Sequence, residues 1–132
     1  MPDIPHFTIA TVAEKSADFR RVLWTGQHTQ VIIMTIPVGE EIGEEVHEGT
    51  DQILTFVSGT ARVVLDGSTK SCAQGDLVAV PAGAKHNVIN TGENPLILYT
   101  VYGPPEHAPG AVHRTKAEGE AAEESGADEP PQ

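Results

Sequence analysis

Apolar residues in this chain come in short runs rather than long stripes. The runs are FRRVLWT (19–25), TQVIIMTI (29–36), QILTFV (52–57), ARVVL (61–65), DLVAV (76–80), NVIN (87–90) and LILYTVY (96–102), rich in Val, Ile, Leu and Thr. Turn formers separate them about every ten residues: Gly26, Pro37-Val38-Gly39, Gly49, Ser58-Gly59, Asp66-Gly67, Gly75-Asp76, Pro81-Ala82-Gly83, Thr91-Gly92 and Gly103-Pro104. Short β-type runs at that spacing predict an all-β sandwich or barrel. Asp66-Gly67 is the strongest hairpin signal, because both positions tolerate positive φ. VIIMTI (31–36) lacks polar alternation and predicts a strand covered on both faces. Only VAEKSADF (12–19) invites a helix, of one turn at most.

The pattern stops near residue 103. GPPEHAPGAVHRTK (103–116) is Pro-rich, favours extended structure and holds two of the six histidines. AEGEAAEESGADEPPQ (117–132) has no large apolar residue, so burial cannot offset its ordering entropy, and disorder is expected. The predicted organisation is an N-terminal segment (1–20), one β-domain (21–103), a C-terminal extension (104–116) and an acidic disordered tail (117–132). A chain of 132 residues suits a single core.

Charge narrows the partners. The formal net charge is −11. An acidic surface repels nucleic acid and anionic membrane, so neither is expected as a partner. No apolar run approaches the ~20 residues of a membrane span. MPDIPHFTIA has no basic region followed by an apolar stretch, so no signal peptide is expected. Cys72 is the only cysteine, which rules out an intrachain disulfide and suits a reducing, cytoplasmic location.

The clearest chemistry-bearing motif is GDLVAVPAGAKHNVIN (75–90). Gly75 opens a strand from a tight turn. Asp76 can bond local backbone there. Leu77, Ala79 and Pro81 alternate with Val78 and Val80 across the strand. Pro81 ends the pairing, Gly83 makes the corner, and His86 and Asn90 bracket the next strand. Upstream, Gly39 and Gly59 frame EEVHEGTDQ (44–52). Glu45 and His47 are two apart, so on an extended segment they face the same side.

These two stretches resemble the paired motifs of the cupin superfamily, specifically its small single-domain bacterial members. Gly75, Pro81, Gly83, His86 and Asn90 match the second motif at every fixed position. In the first, Gly39, His47 and Gly59 match. Glu45 stands where a histidine is usual, and Gln52 stands where a glutamate is usual. Asp51 is the second choice for that last position, but it falls on the opposite strand face. The resemblance implies a double-stranded β-helix, a jelly-roll barrel of two facing antiparallel sheets. It also implies one inward-held divalent transition metal (Zn, Fe, Mn, Ni or Co) on Glu45, His47, Gln52 and His86. Glu45, if not a ligand, could serve as a general base beside the metal.

Two functions are expected from that resemblance. One is a small metalloenzyme of dioxygenase, isomerase or lyase type acting on a small organic substrate. The other is a non-catalytic barrel that binds or senses a small ligand or metal. Lys85 is the only basic residue beside a proposed ligand, which weakens a sugar-phosphate reading. Glu40, Glu41, Glu44 and Glu48 are expected in solvent, and His6 and His28 at the surface. Trp24 is expected as a core or interface anchor, and Tyr99 or its neighbours as core. His107 and His113 lie in a segment that resembles a recurrent C-terminal extension, which folds over the barrel or reaches across a dimer. A homodimer is expected.

Overall fold

Alternation and turn chemistry produce strands where the runs lie. The computed structural model describes residues 4–131. Residues 1–3 of the N-terminal segment and Gln132 of the tail lie outside the described residues. The order is α1 (Ile9–Lys15), β1 (Arg20–Thr25), β2 (Gln30–Ile36), β3 (Asp51–Ser58), β4 (Thr60–Leu65), β5 (Ser68–Ala73), β6 (Leu77–Val80), β7 (His86–Asn90), β8 (Leu96–Gly103), β9 (Val112–His113) and α2 (Lys116–Ser125). Six strands pair in the order β6-β3-β8-β2-β1-β9, and three in the order β5-β4-β7. Every strand pairing is antiparallel. Bridges from Glu41 to Ile89 and from Glu45 to His86 lay the segment before β3 along the free edge of β7.

The main core fills the space between the sheets, with Ile32, Ile36, Leu54, Phe56, Val63, Val88, Leu96 and Leu98. A second cluster lies on the outer face of the large sheet. There α1 sets Ala13 against Ile33 and Val57, with Ile9, Val12 and Tyr99 at the margin. This explains the unalternating VIIMTI run: barrel residues cover one face of β2 and α1 covers the other. It also places Tyr99 outside the barrel. The helix lies earlier than the predicted 12–19 turn, because Ile9, Val12 and Ala13 make one apolar stripe at helical spacing.

The Asp66-Gly67 hairpin forms, with Asp66 at φ 46°, Gly67 at φ 86° and Leu65 opposite Ser68. Its outgoing strand, β5, escaped the sequence reading. In STKSCA only Cys72 is buried, as befits an edge strand with little to hide. Gly59 connects β3 to β4 at φ 95°, where a Cβ would come 3.2 Å from the backbone of Pro95 and Leu96.

One expectation needs correction and a second is narrowed. The tail expected to be disordered forms α2 instead. Thr115 caps it by accepting the Glu118 N–H at 3.2 Å, and Gly126 ends it in the left-handed conformation. The segment is anchored by polar contacts, which a count of apolar residues does not register. Of the two places expected for Trp24, core or interface, the core is excluded. Trp24 is 37% exposed and borders a surface groove of about 380 Å³ with Pro5, Phe7 and Val31.

Candidate metal centre and barrel mouth

His86 and Glu45 form a backbone pair, exchanging N–H···O bonds of 2.8 and 2.9 Å. Their side chains approach that of His47, two residues after Glu45. One potential ligand atom from each of Glu45, His47 and His86 lies within 4.8 Å of the others. The His47 and His86 ring centroids are 5.4 Å apart.

Gln52 enters from the opposite sheet. Strand parity on β3 buries Gln52 and leaves Asp51 in solvent, where its carboxylate accepts the Ala82 N–H at 2.9 Å. The Gln52 amide nitrogen donates to Thr100 Oγ1 at 3.1 Å and to the Tyr102 hydroxyl at 3.0 Å. Its Oε1 is buried with no partner among the described residues.

The hydrogen bonds set the tautomers. His86 Nδ1 lies 3.1 Å from the Ala84 carbonyl, which only accepts, so Nδ1 carries the proton. His47 Nδ1 lies 3.1 Å from Glu106 Oε1, and Thr50 holds the other Glu106 oxygen at 2.9 Å. In the neutral rings both Nε2 atoms are then free to act as ligands, the arrangement in which a carbonyl or carboxylate orients a metal-binding imidazole. His47 Nε2 is buried without a hydrogen-bond partner among the described residues. Its nearest charge is Glu45 Oε2 at 3.7 Å. Two oriented imidazoles, a carboxylate and an amide oxygen without a donor among the described residues fit a divalent ion.

The electrostatics couple metal and proton. Burial disfavours a charged His47, but the Glu106 hydrogen bond and the Glu45, Glu106 and Glu123 charges outweigh it and raise its pKa. The same bond to His47 holds the Glu106 carboxyl below its ordinary range. Burial pushes the Tyr102 hydroxyl well above its ordinary value, keeping it neutral.

Of the predicted ligands, Glu45 and His47 line an opening that the C-terminal segment helps to build. A cavity of about 360 Å³ is lined by Glu45, His47, Glu106, His107, Glu123, Asp128 and Glu129 among others. Arg20, on β1, lies 3.4 Å from both Glu123 and Asp128. His107 and His113 are both buried; His107 pairs with Asp128 at 2.6 Å, and His113 lies 3.3 Å from Arg20. Burial and the adjacent Arg20 charge lower the His113 pKa. Glu40, Glu41, Glu44 and Glu48 are exposed, as are His6 and His28. Glu44 meets Lys85 at 3.2 Å outside the site. The sequence reading missed Glu106, Asp128, Arg20 and Gln30. The available signal for Glu106 was its place beside His107 in a Pro-rich stretch, whereas Asp128 had none.

This jelly roll, with paired motif residues converging between its sheets, defines a cupin. Residues 32–102 match the family model described as a cupin domain, and the chain belongs to that family. It is 42% identical over 122 residues to YrkC, an uncharacterized protein of Bacillus subtilis (strain 168), covering 88% of this chain and 66% of that one. It is 34% identical over 103 residues to L612, an uncharacterized protein of Acanthamoeba polyphaga mimivirus, covering 74% of this chain and 64% of that one. The chain thus spans just under two thirds of either relative's length. The crystal structure of BH2720 from Bacillus halodurans superposes with a TM-score of 0.88 at 40% identity, over 92% of this chain and 96% of that one.

Proposed function

We propose that the barrel holds one divalent transition metal on Glu45, His47, Gln52 and His86, and that the protein is a metalloenzyme acting on a small organic molecule. The observation that carries this reading is the pair of buried acceptors without partners, His47 Nε2 and Gln52 Oε1. Two neutral imidazoles, one carboxylate and one amide would leave a bound divalent site with a charge of +1. When bound, the ion supplies a Lewis acid that can polarise a substrate oxygen or activate water.

The chain's own residues do the rest. Glu106 and the Ala84 carbonyl orient the two imidazoles, and Tyr102 and Thr100 fix the amide. If Glu45 is not a ligand, its carboxylate stands beside the ion as a general base. Elemental analysis of untagged protein, repeated on His47→Ala and His86→Ala, is expected to find about one metal per chain, lost in both variants. Negligible metal, or metal indifferent to both changes, sinks the reading.

A second reading is a non-catalytic barrel. It draws on the raised His47 pKa: a second ring proton, favoured by Glu45 and Glu106, occupies His47 Nε2 without a metal, while Gln52 Oε1 still lacks a donor among the described residues. Oxygen uptake and turnover on metal-loaded protein with diketones, catechols and thiols separates the two. Retained ligand binding with no turnover favours the second.

We also propose a cytoplasmic homodimer. The exposed Trp24 groove, bordered by Pro5, Phe7 and Val31, supplies an apolar face for the second copy. Light scattering at micromolar concentration giving the mass of one chain rejects the dimer.

A further inference from the structure

The tail that closes the barrel mouth is anchored by a buried polar group. Between residues 117 and 131, the buried positions are Gly119 and Asp128. Asp128 Oδ1 accepts the Ala108 N–H at 2.9 Å, and Oδ2 lies 2.6 Å from His107 Nδ1. With Nδ1–H donated to the carboxylate, a neutral His107 ring keeps its lone pair on Nε2. His107 is 2% exposed, lines the same cavity as His47, and its Nε2 has no partner among the described residues. A buried acceptor without a donor is costly, so this atom calls for a donor that the described residues do not supply.

A separate observation concerns sign. Glu45, Glu106, Glu123, Asp128 and Glu129 line the cavity, and Arg20 is the cation beside Glu123 and Asp128. Even with a divalent ion in the barrel, the carboxylates remain in excess. Such a field concentrates cations and turns anions away. A second metal on His107, Glu123 and Asp128 explains the mouth less well, although their ligand atoms lie within 4.8 Å of one another. His107 Nδ1 and Asp128 Oδ2 are already bonded to each other, and Arg20 already supplies the positive charge.

We propose that the mouth is a binding subsite for a small organic cation bearing N–H donors, such as a guanidinium or alkylammonium group, with His107 Nε2 accepting one of its hydrogens. This rests on the reading that the barrel takes a small molecule, and it names that molecule's class. Asp128 is a positioning residue, because it fixes which nitrogen of His107 accepts.

The test is an NMR titration of the isotope-labelled full chain near neutral pH, following the histidine ring nitrogens. The probes are methylguanidinium, which stays charged and is a poor metal ligand, the similarly shaped neutral methylurea, and the dianion malonate. Methylguanidinium is expected to shift His107 Nε2 saturably, methylurea to bind about tenfold more weakly, and malonate not to bind there. His107→Phe keeps a ring beside Tyr102 and removes the acceptor. It is expected to weaken methylguanidinium about tenfold, the scale of one hydrogen bond to a charged group. Asp128→Asn is expected to alter the tautomer pattern of the His107 nitrogens. The proposal is overturned if methylguanidinium produces no saturable shift at His107, if malonate binds as tightly, or if His107→Phe leaves the affinity unchanged. Repeating the titration on His86→Ala, which alters a proposed metal ligand outside the mouth lining, separates this subsite from the metal reading: methylguanidinium binding persists there even if no metal is ever bound.

Discussion

Ile32, Ile36, Leu54, Leu96 and Leu98 are fully buried between the sheets and make no polar contact through their side chains. The C-terminal segment, residues 104–131, adds β9 to the edge of β1 and packs Ala111 on the core, but its buried side-chain contacts with the barrel are polar, through Gln30, Arg20, His107 and Asp128. Gln30 is also fully buried, yet its amide donates to the His107 carbonyl at 2.8 Å and accepts from the Glu106 and His107 N–H groups at 3.1 and 2.9 Å. The barrel is therefore held by a force that is non-directional and insensitive to pH, while the closing segment is held by directional bonds and charges. Both enclose one cavity. The rigid part carries the proposed ligands Glu45, His47, Gln52 and His86. The segment held by those polar contacts carries Glu106, His107 and Asp128, which orient or extend the site.

The largest expected effect tests the barrel half of that contrast. Phe56→Ala empties a 1%-exposed position in the main core. Loss of transfer energy plus a residual cavity is expected to cost about 3–5 kcal/mol, read as a lower urea midpoint for the whole domain. A loss confined to the C-terminal segment would break the comparison.

Gln30→Ala tests the hinge between the two parts. It leaves the Glu106 and His107 N–H groups and the His107 carbonyl without their partner, at an expected cost of about 2–3 kcal/mol. The loss is expected to be local. Hydrogen exchange and proteolysis should accelerate in residues 104–131, while amides of β3 and β8 keep their protection. Uniform acceleration would mean that barrel and segment form one cooperative unit.

What the sequence reveals follows the same divide. Barrel strands are legible because apolar residues repeat with the pleat and turn residues mark the ends; β5 is not, because an exposed edge needs no apolar pattern. Strand parity alone separates Gln52 from Asp51, and the structure places the first inside and the second outside. Glu106 and Asp128 follow no such local rule. Glu106 reaches His47 across 59 residues and Asp128 reaches Arg20 across 108. Such contacts depend on the chain folding back, and an acidic, Ala-rich tail carries no periodicity that announces it. Low apolar content predicts disorder for that tail, whereas ion pairs and hydrogen bonds to distant residues order it.

Acid should separate the two parts. Asp128 is faced by His107, by Arg20 from β1, by Glu123 from α2 and by His113 from β9. Burial alone would raise its pKa, but the His107 hydrogen bond and charge, the Ala108 N–H and Arg20 together lower it from 3.8 to about 2. A carboxyl whose folded pKa is depressed contributes stability that is present above its unfolded value and is lost as pH falls toward the folded one. The shift corresponds to roughly 2 kcal/mol, withdrawn between about pH 4 and pH 2. His113 acts earlier and in the same direction: its lowered pKa favours the neutral ring in the fold, so its contribution begins to fall below about pH 6.5, opposed there by the raised pKa of His47 at its contact with Glu106. Acid should therefore free residues 104–131 first, seen as faster exchange and cleavage in α2, while near-ultraviolet signals from the barrel aromatics persist. In Asp128→Asn the step between about pH 4 and pH 2 should shrink to what the lowered Glu106 carboxyl contributes, and the segment should already be loose at neutral pH. If that variant keeps the wild-type acid profile, the Arg20–Asp128–His107 network is not what closes the mouth.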